Sequence, residues 1–246
     1  MVSIIIIKFF SYGPNETFET KFTFLCRSIE ECRADLVGLF FGFNKDVQKI
    51  FEVNENDFED VIYTMWLIQF RKGILGLTLF NTENKKWGQA HTQGAWVFTH
   101  FILENQKKGE EILTVQLDEA NKTFHIKASK ENIIKHGKKL VEDILIKIHI
   151  WKAIGDFENA NTFYEKYSHV DEMFLKIREI LLENEPPRRL ELNHNLKIDQ
   201  SGSVSIIEYP ETVEGIIESF VDRYGTEFNK EIYEELSKLE KKINKK

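Results

Sequence analysis

The sequence has few of the residues on which several protein classes depend. Its 246 residues contain two cysteines, Cys26 and Cys32, which lie six positions apart. That spacing gives neither a disulfide framework nor a zinc ribbon, and so low a cysteine content fits a reducing compartment. No apolar run is long enough to span a bilayer. The sequence therefore predicts a cytoplasmic protein with no membrane partner.

Positive charge is also scarce. The formal net charge is −7 and the sequence pI is about 5.6, which argues against nucleic acid as a principal partner. Hydrophobic residues make up 42% of the chain, and 20 residues are Phe. This composition is typical of a folded globular protein and not of a disordered one.

Helical periodicity dominates the chain as far as Leu182. After the pair Pro186-Pro187 the pattern changes to short extended segments, followed by predicted helices at Thr212 to Tyr224 and Asn229 to Lys242. We therefore expect a mainly α (α+β) fold, in which a helical part is followed by a few short strands and C-terminal helices.

The segment Ser28 to Gly42 is predicted to be a buried helix, because its second half is apolar nearly all round a helical wheel. One strip breaks this pattern, with Glu31 and Asp35 followed by two glycines on one face. Buried carboxylates are costly unless a cation or strong donors meet them, so the strip suits a metal ligand. The structural alternative is a capping box, in which Ser28 and Glu31 start the helix.

A second helix is predicted from Trp87 to Gln106, and it places His91 beside small residues on one face. A lone histidine in such surroundings is usually a packed side chain with one hydrogen bond. It can also be a functional group that exchanges a proton. The residues alone leave both interpretations open.

Both segments resemble signatures of the dipeptidyl peptidase III family. Glu-Glu-Cys-Arg-Ala-Asp, which begins at Glu30, is similar to the family's Glu-Glu-Cys-Arg-Ala-Glu. Gln-Ala-His-x-Gln, which begins at Gln89, is similar to a second signature. Shorter matches follow in family order between about Ser11 and Tyr224. The sequence is identified as a member of this family of zinc-dependent exopeptidases, which release dipeptides from the N-terminus of short peptides. It corresponds to their C-terminal portion.

The resemblance implies roles for individual residues. Glu31 is expected to bind zinc, Glu30 and Asp35 to orient the other zinc ligands, and His91 to donate a hydrogen bond toward the reacting carbonyl. Three residues are expected to contact the peptide: Gln89, Arg188 and Arg189. Residues 1–187 are expected to form the helical part of the zinc-bearing lobe, and residues 188–246 to contribute strands and helices to the other lobe.

The sequence departs from the family in three ways. Asp35 is shorter than the family's Glu, and Ala95 stands where relatives carry Arg. A catalytic zinc also needs three protein ligands. In the family, two of them and the general base come from a His-Glu-x-x-x-His motif, which none of the seven histidines here forms. We therefore expect the motif to lie upstream of Met1, in an N-terminal half of a truncated or split enzyme, and this chain alone to be inactive. The alternative is a non-catalytic peptide-binding or regulatory relative.

Overall fold

The computed structural model describes residues 12–185 and 191–225. The chain divides into two compact units, Met1–Glu185 and Pro186–Lys246. Helices dominate the described part of the first unit, and its strands form small two-stranded sheets, so the expected mainly α (α+β) fold class is confirmed. The helix predicted at Asn229 to Lys242 lies outside the described residues. The division into lobes at residues 187 and 188 stays a prediction.

Most of the helices in the first unit lie where periodicity predicts them. They are α1 (Phe18–Phe22), α2 (Cys26–Gly42), α3 (Lys45–Ile50), α4 (Phe58–Leu75), α5 (Ala90–Asn105), α6 (Lys130–Asn132), α7 (Lys138–Ile154), α8 (Phe157–Ser168) and α9 (Glu172–Glu183). Polar caps start several of them. Asn44 Oδ1 accepts from the backbone of Asp46 at 2.9 Å, and Asp171 Oδ1 accepts from that of Phe174 at 3.0 Å. Gly155 ends α7 in the left-handed region, with φ of 69°.

Two antiparallel hairpins accompany these helices. The first pairs β1 (Phe80–Asn81) with β2 (Lys86–Trp87). The second pairs β3 (Leu113–Asp118) with β4 (Thr123–Ala128), and its register sets Val115 opposite Ile126. The sequence predicts this second hairpin, because Ile, Leu and Val in Glu111 to Gln116 are opposed by Phe and Ile in Thr123 to Ala128. The structure confirms it.

The start of α2 corrects the sequence prediction. The helix begins at Cys26, directly after a 3₁₀ turn at Thr23–Leu25, so Ser28 lies inside it. The Ser28 hydroxyl is buried without a hydrogen-bond partner among the described residues, so the predicted capping box is wrong. The helix begins before Ser28 because of tertiary packing. Phe22 and Leu25 are buried in the core and hold the backbone upstream of Ser28 in a helical conformation.

Apolar periodicity predicts one long helix from Lys130 to about Ile154. In the structure, a π-helical turn at Ile133–Gly137 interrupts it. The turn lies against a large buried side chain, since a Cβ atom on Gly137 would sit 2.7 Å from Cζ2 of Trp66. Trp66 itself is fully buried and packs edge-on to Phe98, with ring centroids 5.3 Å apart. The interruption therefore lies where the helix must pass the bulkiest part of the core.

Two glycines bring the central helices together. A Cβ atom on Gly73 of α4 would lie 2.4 Å from Thr99 Oγ1 and 2.8 Å from the carbonyl oxygen of Ala95 on α5. A Cβ atom on Gly94 of α5 would lie 3.0 Å from the Cβ atom of Cys32 on α2. Helix α5 therefore packs closely against both neighbours. The predicted burial of α2 holds at its centre, but Phe41 near its end is 45% exposed.

In the second unit, β5 (Asn195–Ile198) pairs with β6 (Val204–Ile207), and α10 (Val213–Tyr224) follows. The buried Asn195 ties these elements together. Its Nδ2 donates to Tyr209 Oη and to the carbonyl oxygen of Ser219, both at 2.8 Å. Its Oδ1 accepts from Arg223 at 2.7 Å. One amide thus joins a strand, the loop after the hairpin and a helix.

Candidate functional site

The structure brings together two of the predicted site residues. Glu31 on α2 and His91 at the start of α5 face each other, and Glu31 Oε2 lies 2.9 Å from His91 Nδ1. Both side chains are accessible, with exposed fractions of 38% for Glu31 and 47% for His91. The contact depends on the α2–α5 packing, because Gly94 lies against Cys32. Cys32 directly follows Glu31, and Gly94 lies one helical turn after His91.

Asp35 lies one helical turn beyond Glu31 and is held by α4. Lys72 Nζ lies 2.6 Å from Asp35 Oδ2, and Gln69 Nε2 donates to the same oxygen at 3.1 Å. Both members of the ion pair are about 30% exposed. Lys72 and Gln69 therefore offset the cost of partly burying the Asp35 carboxylate, the first as a cation and the second as a hydrogen-bond donor.

Glu30 points to a different neighbour. Its carboxylate accepts from Arg33 Nε at 3.2 Å and also contacts Lys152 Nζ of α7. Hydrogen bonding from Arg33, together with Lys152, lowers the pKa of Glu30 to about 2, although partial burial opposes this shift. The Glu30 carboxylate is therefore held as an anion by two cations.

Behind this surface, α2 and α8 share a buried polar contact. Tyr164 Oη donates to the carbonyl oxygen of Ser28 at 3.1 Å. Burial raises the pKa of the Cys32 thiol to about 12 and that of Tyr164 well above its usual value. Both groups are therefore neutral at physiological pH and fix the α2–α8 packing rather than react.

The other predicted contacts have varied surroundings. Gln89 is the N-cap of α5, and its Oε1 accepts from the backbone of Thr92 at 2.7 Å. Ala95 is fully buried one turn after His91. Arg188 and Arg189 lie outside the described residues, so their predicted role in substrate binding stays a prediction.

The described residues do not form a zinc site by themselves. Within 12–185 and 191–225, no three His, Cys, Asp or Glu side chains lie close enough together to hold a metal ion. Glu31 fits as a single ligand, because its accessible carboxylate has one ion partner in these ranges, His91. None of the described helices combines the length and the apolar character that a membrane span requires.

Comparison with known proteins identifies the family. A sequence model described as peptidase family M49 matches residues 7–224. The chain belongs to peptidase family M49. Two relatives named dipeptidyl peptidase 3 are similar to it along most of its length. The protein from Nematostella vectensis is 34% identical over 213 residues, and that from Rattus norvegicus is 33% identical over 235 residues.

The alignments with these two relatives cover most of this chain and only part of each relative. The alignments include 87% and 93% of this chain, but 29% and 31% of the Nematostella and Rattus proteins. A solved structure of DPP III from Caldithrix abyssi is 26% identical and aligns with 68% of this chain and 27% of its own, with a TM-score of 0.46. The chain thus spans about a third or less of the length of the M49 relatives that it matches.

Sequence reasoning missed the cations that hold the acidic residues of this surface. Arg33 could have been found, since it follows Glu30 at a spacing that places both on one side of a helix. Lys72 and Lys152 belong to other helices, and no local pattern connects them with α2. Their partners depend on helix packing, which a single sequence does not reveal.

Proposed function

We propose that this chain supplies two groups of a dipeptidyl peptidase: one zinc ligand, and the group that donates a hydrogen bond to the carbonyl of the substrate. Such an enzyme is a metalloprotease, a hydrolase that releases dipeptides from the N-terminus of short peptides. The observation that carries the proposal is the 2.9 Å contact between Glu31 and His91. The two residues come from separate segments. The family resemblance assigns both to one reaction, and the fold independently brings them together at an accessible surface.

Each residue has a role that its position allows. The accessible carboxylate of Glu31 can bind zinc, which when present would activate a water molecule for attack on the peptide bond. Because Nδ1 of His91 faces Glu31, Nε2 is the ring nitrogen left for the substrate. An N–H group there can stabilise the oxyanion that forms on the peptide carbonyl. Asp35 and Glu30 lie on the same helix as Glu31, and cations already hold their carboxylates. On this proposal they orient the histidine ligands of the zinc.

The remaining zinc ligands need another source. We propose that a polypeptide corresponding to the N-terminal half of the relatives provides them in a His-Glu-x-x-x-His motif, whose Glu is the general base. On this proposal the chain alone is inactive. The absence of that motif from the 246 residues supports it. On this proposal the enzyme is a cytoplasmic aminopeptidase that acts on free peptides. The low cysteine content fits that compartment, and the acidic net charge argues against nucleic acid as a partner.

A chimera tests this function. This chain would replace the matching C-terminal region of the Nematostella vectensis relative, and release of dipeptides from a fluorogenic dipeptide amide would be measured with and without zinc. We expect zinc-dependent release. Glu31→Gln should abolish it, and His91→Ala should lower kcat by about 10²- to 10³-fold, as loss of an oxyanion donor does. Lys127→Gln, a change on the exposed surface of β4, is the control. A folded chimera whose release is unchanged by Glu31→Gln would refute the proposal.

The second candidate is a non-catalytic peptide-binding relative. It is favoured by the lack of a three-ligand cluster within residues 12–185 and 191–225. On this alternative, the zinc-free chain binds short peptides at the Glu31–His91 surface, and His91→Ala weakens binding. Two results together would favour the enzyme over this alternative. The chimera would release dipeptides, and the isolated chain would not bind peptides at the Glu31–His91 surface.

A further inference from the structure

The first unit contains an open cavity that the proposed reaction does not use. Its volume is about 670 Å³, which lies within the range of sites that bind small ligands. The β1–β2 hairpin, the segment before α2, α8 and the start of α9 enclose it. Gln93 also lines it, and residues two apart on a helix do not share a face, so the cavity lies on another side of α5 from His91.

Aromatic side chains and polar groups with fixed hydrogen bonds both line the cavity. The rings of Phe80 and Trp87 pack with centroids 5.4 Å apart, and Phe24, 75% exposed, lines the wall from the 3₁₀ turn before α2. Trp87 Nε1 donates to the carbonyl oxygen of Ser168 at 3.0 Å, and Gln93 Nε2 donates to its hydroxyl at 3.1 Å. These bonds hold the aromatic wall and the edge of the cavity in place.

Residues of opposite charge line the cavity, and they come from different elements. Three carboxylates, Glu165, Asp171 and Glu172, come from α8 and the start of α9. Lys85 and Lys86 come from the β1–β2 hairpin, and neither forms an ion pair with another residue of the described ranges. A ligand that complements these walls carries a cation at one end, an anion at the other and an apolar group between them. Within the chain, Glu165 accepts from Asn161 and Asp171 caps α9. Glu172 is 88% exposed and lies 3.9 Å from Lys176. An uncharged ligand would leave Lys85 and Lys86 without an ion partner, and a nucleotide would bring its phosphates toward the three carboxylates.

We propose that this cavity binds a free short peptide of about dipeptide size with an aromatic or large aliphatic side chain. The peptide's ammonium group faces the carboxylates of α8 and α9, its carboxylate faces Lys85 and Lys86, and its side chain packs against Trp87 and Phe80. An ammonium group near aromatic faces also gains cation–π attraction. The proposal needs neither zinc nor the Glu31–His91 contact, so it goes beyond the proposed function and can hold where that function fails.

Fluorescence titration of the zinc-free chain tests this assignment, because Trp87 lines the cavity. The two probes are phenylalanyl-leucine with free ends and its N-acetylated amide, which has the same side chains and no end charges. We expect saturable binding of the free dipeptide. The capped analogue should bind about twofold to twenty-fold more weakly, since each exposed ion pair contributes modestly. Equal affinities, or no saturable binding at high millimolar concentration, would overturn the proposal.

Charge-removing variants locate the site. Glu172→Gln and Lys86→Gln should each weaken binding of the free dipeptide by about twofold to fivefold and leave the capped analogue unaffected. Glu179→Gln, on the same helix but outside the cavity, should change neither affinity. Circular dichroism would verify that each variant is folded. If Glu172→Gln and Glu179→Gln have the same effect, the dipeptide binds elsewhere and the proposal is wrong.

Discussion

Gly73 offers the sharpest test of the packing that supports the site. In Gly73→Ala, the new methyl group would lie 2.4 Å from Thr99 Oγ1 and 2.8 Å from the carbonyl oxygen of Ala95. The Thr99 side chain could rotate away, at the cost of its 2.8 Å hydrogen bond to Ala95. The carbonyl belongs to the backbone of α5 and cannot rotate, so α4 and α5 must separate.

The expected cost combines three terms. Overpacking a core position costs about 1–3 kcal/mol, and the lost hydrogen bond adds about 0.5–1.5 kcal/mol. Alanine in place of glycine within a helix gains about 0.5–1 kcal/mol. The free energy of unfolding should therefore fall by about 0.5–4 kcal/mol in Gly73→Ala. For a unit of this size, that change lowers Tm by about 2–4 °C per kcal/mol.

The chain supplies a matched control in the same kind of element. Gly38 lies inside α2, and a Cβ atom there would have no other atom within 4 Å. Gly38→Ala should therefore show only the helix-propensity gain, and its Tm should rise. Urea unfolding followed by circular dichroism at 222 nm would measure both variants. A Gly73→Ala chain as stable as the Gly38→Ala chain would refute the close α4–α5 contact.

Three further predictions follow from individual side chains. The pKa of Glu30 is about 2 in the folded chain, so its stabilisation is present above about pH 4.5 and is lost as the pH falls toward 2. Because this side chain is 38% exposed, solvent screening reduces the effect, and Glu30→Gln should cost about 1 kcal/mol at pH 7 and nothing near pH 2 in urea unfolding. Cys32 is buried with a pKa of about 12, so a thiol reagent at pH 8 should label Cys26 in the folded chain and both thiols only after unfolding. Asn195→Ala removes three hydrogen bonds, including the one to Tyr209. It should speed proteolytic cleavage within residues 191–225, and unchanged cleavage would contradict the role of that amide.

Much of the secondary structure could be predicted because its signals are local. Asn44 caps α3, Gly155 ends α7, and alternating residues mark the β3–β4 hairpin. The start of α2 could not be predicted in this way, because Ser28 and Glu31 match a capping box at least as well as an interior turn. The burial of Phe22 and Leu25 decides between them, and that burial depends on residues far along the chain.

The candidate site shows the same division between local and tertiary information. Motif resemblance selects Glu31 and His91, and the structure places them in contact. Motif resemblance does not predict that Lys72 on α4 pairs with Asp35, or that Lys152 on α7 pairs with Glu30. Those pairs arise from the rotation of each helix about its axis, which the packing of the core sets.

The geometry of the site is therefore a consequence of how α5 packs against α2. Gly94 lies against Cys32 with no room for a larger group. Glu31 comes just before Cys32 in sequence, and His91 lies one helical turn before Gly94, so this single approach sets the distance between carboxylate and imidazole. A bulky residue at position 94 would move His91 away from Glu31 without touching either side chain. Gly94, which directly follows the second signature, thus lets the two helices approach closely enough for Glu31 and His91 to meet.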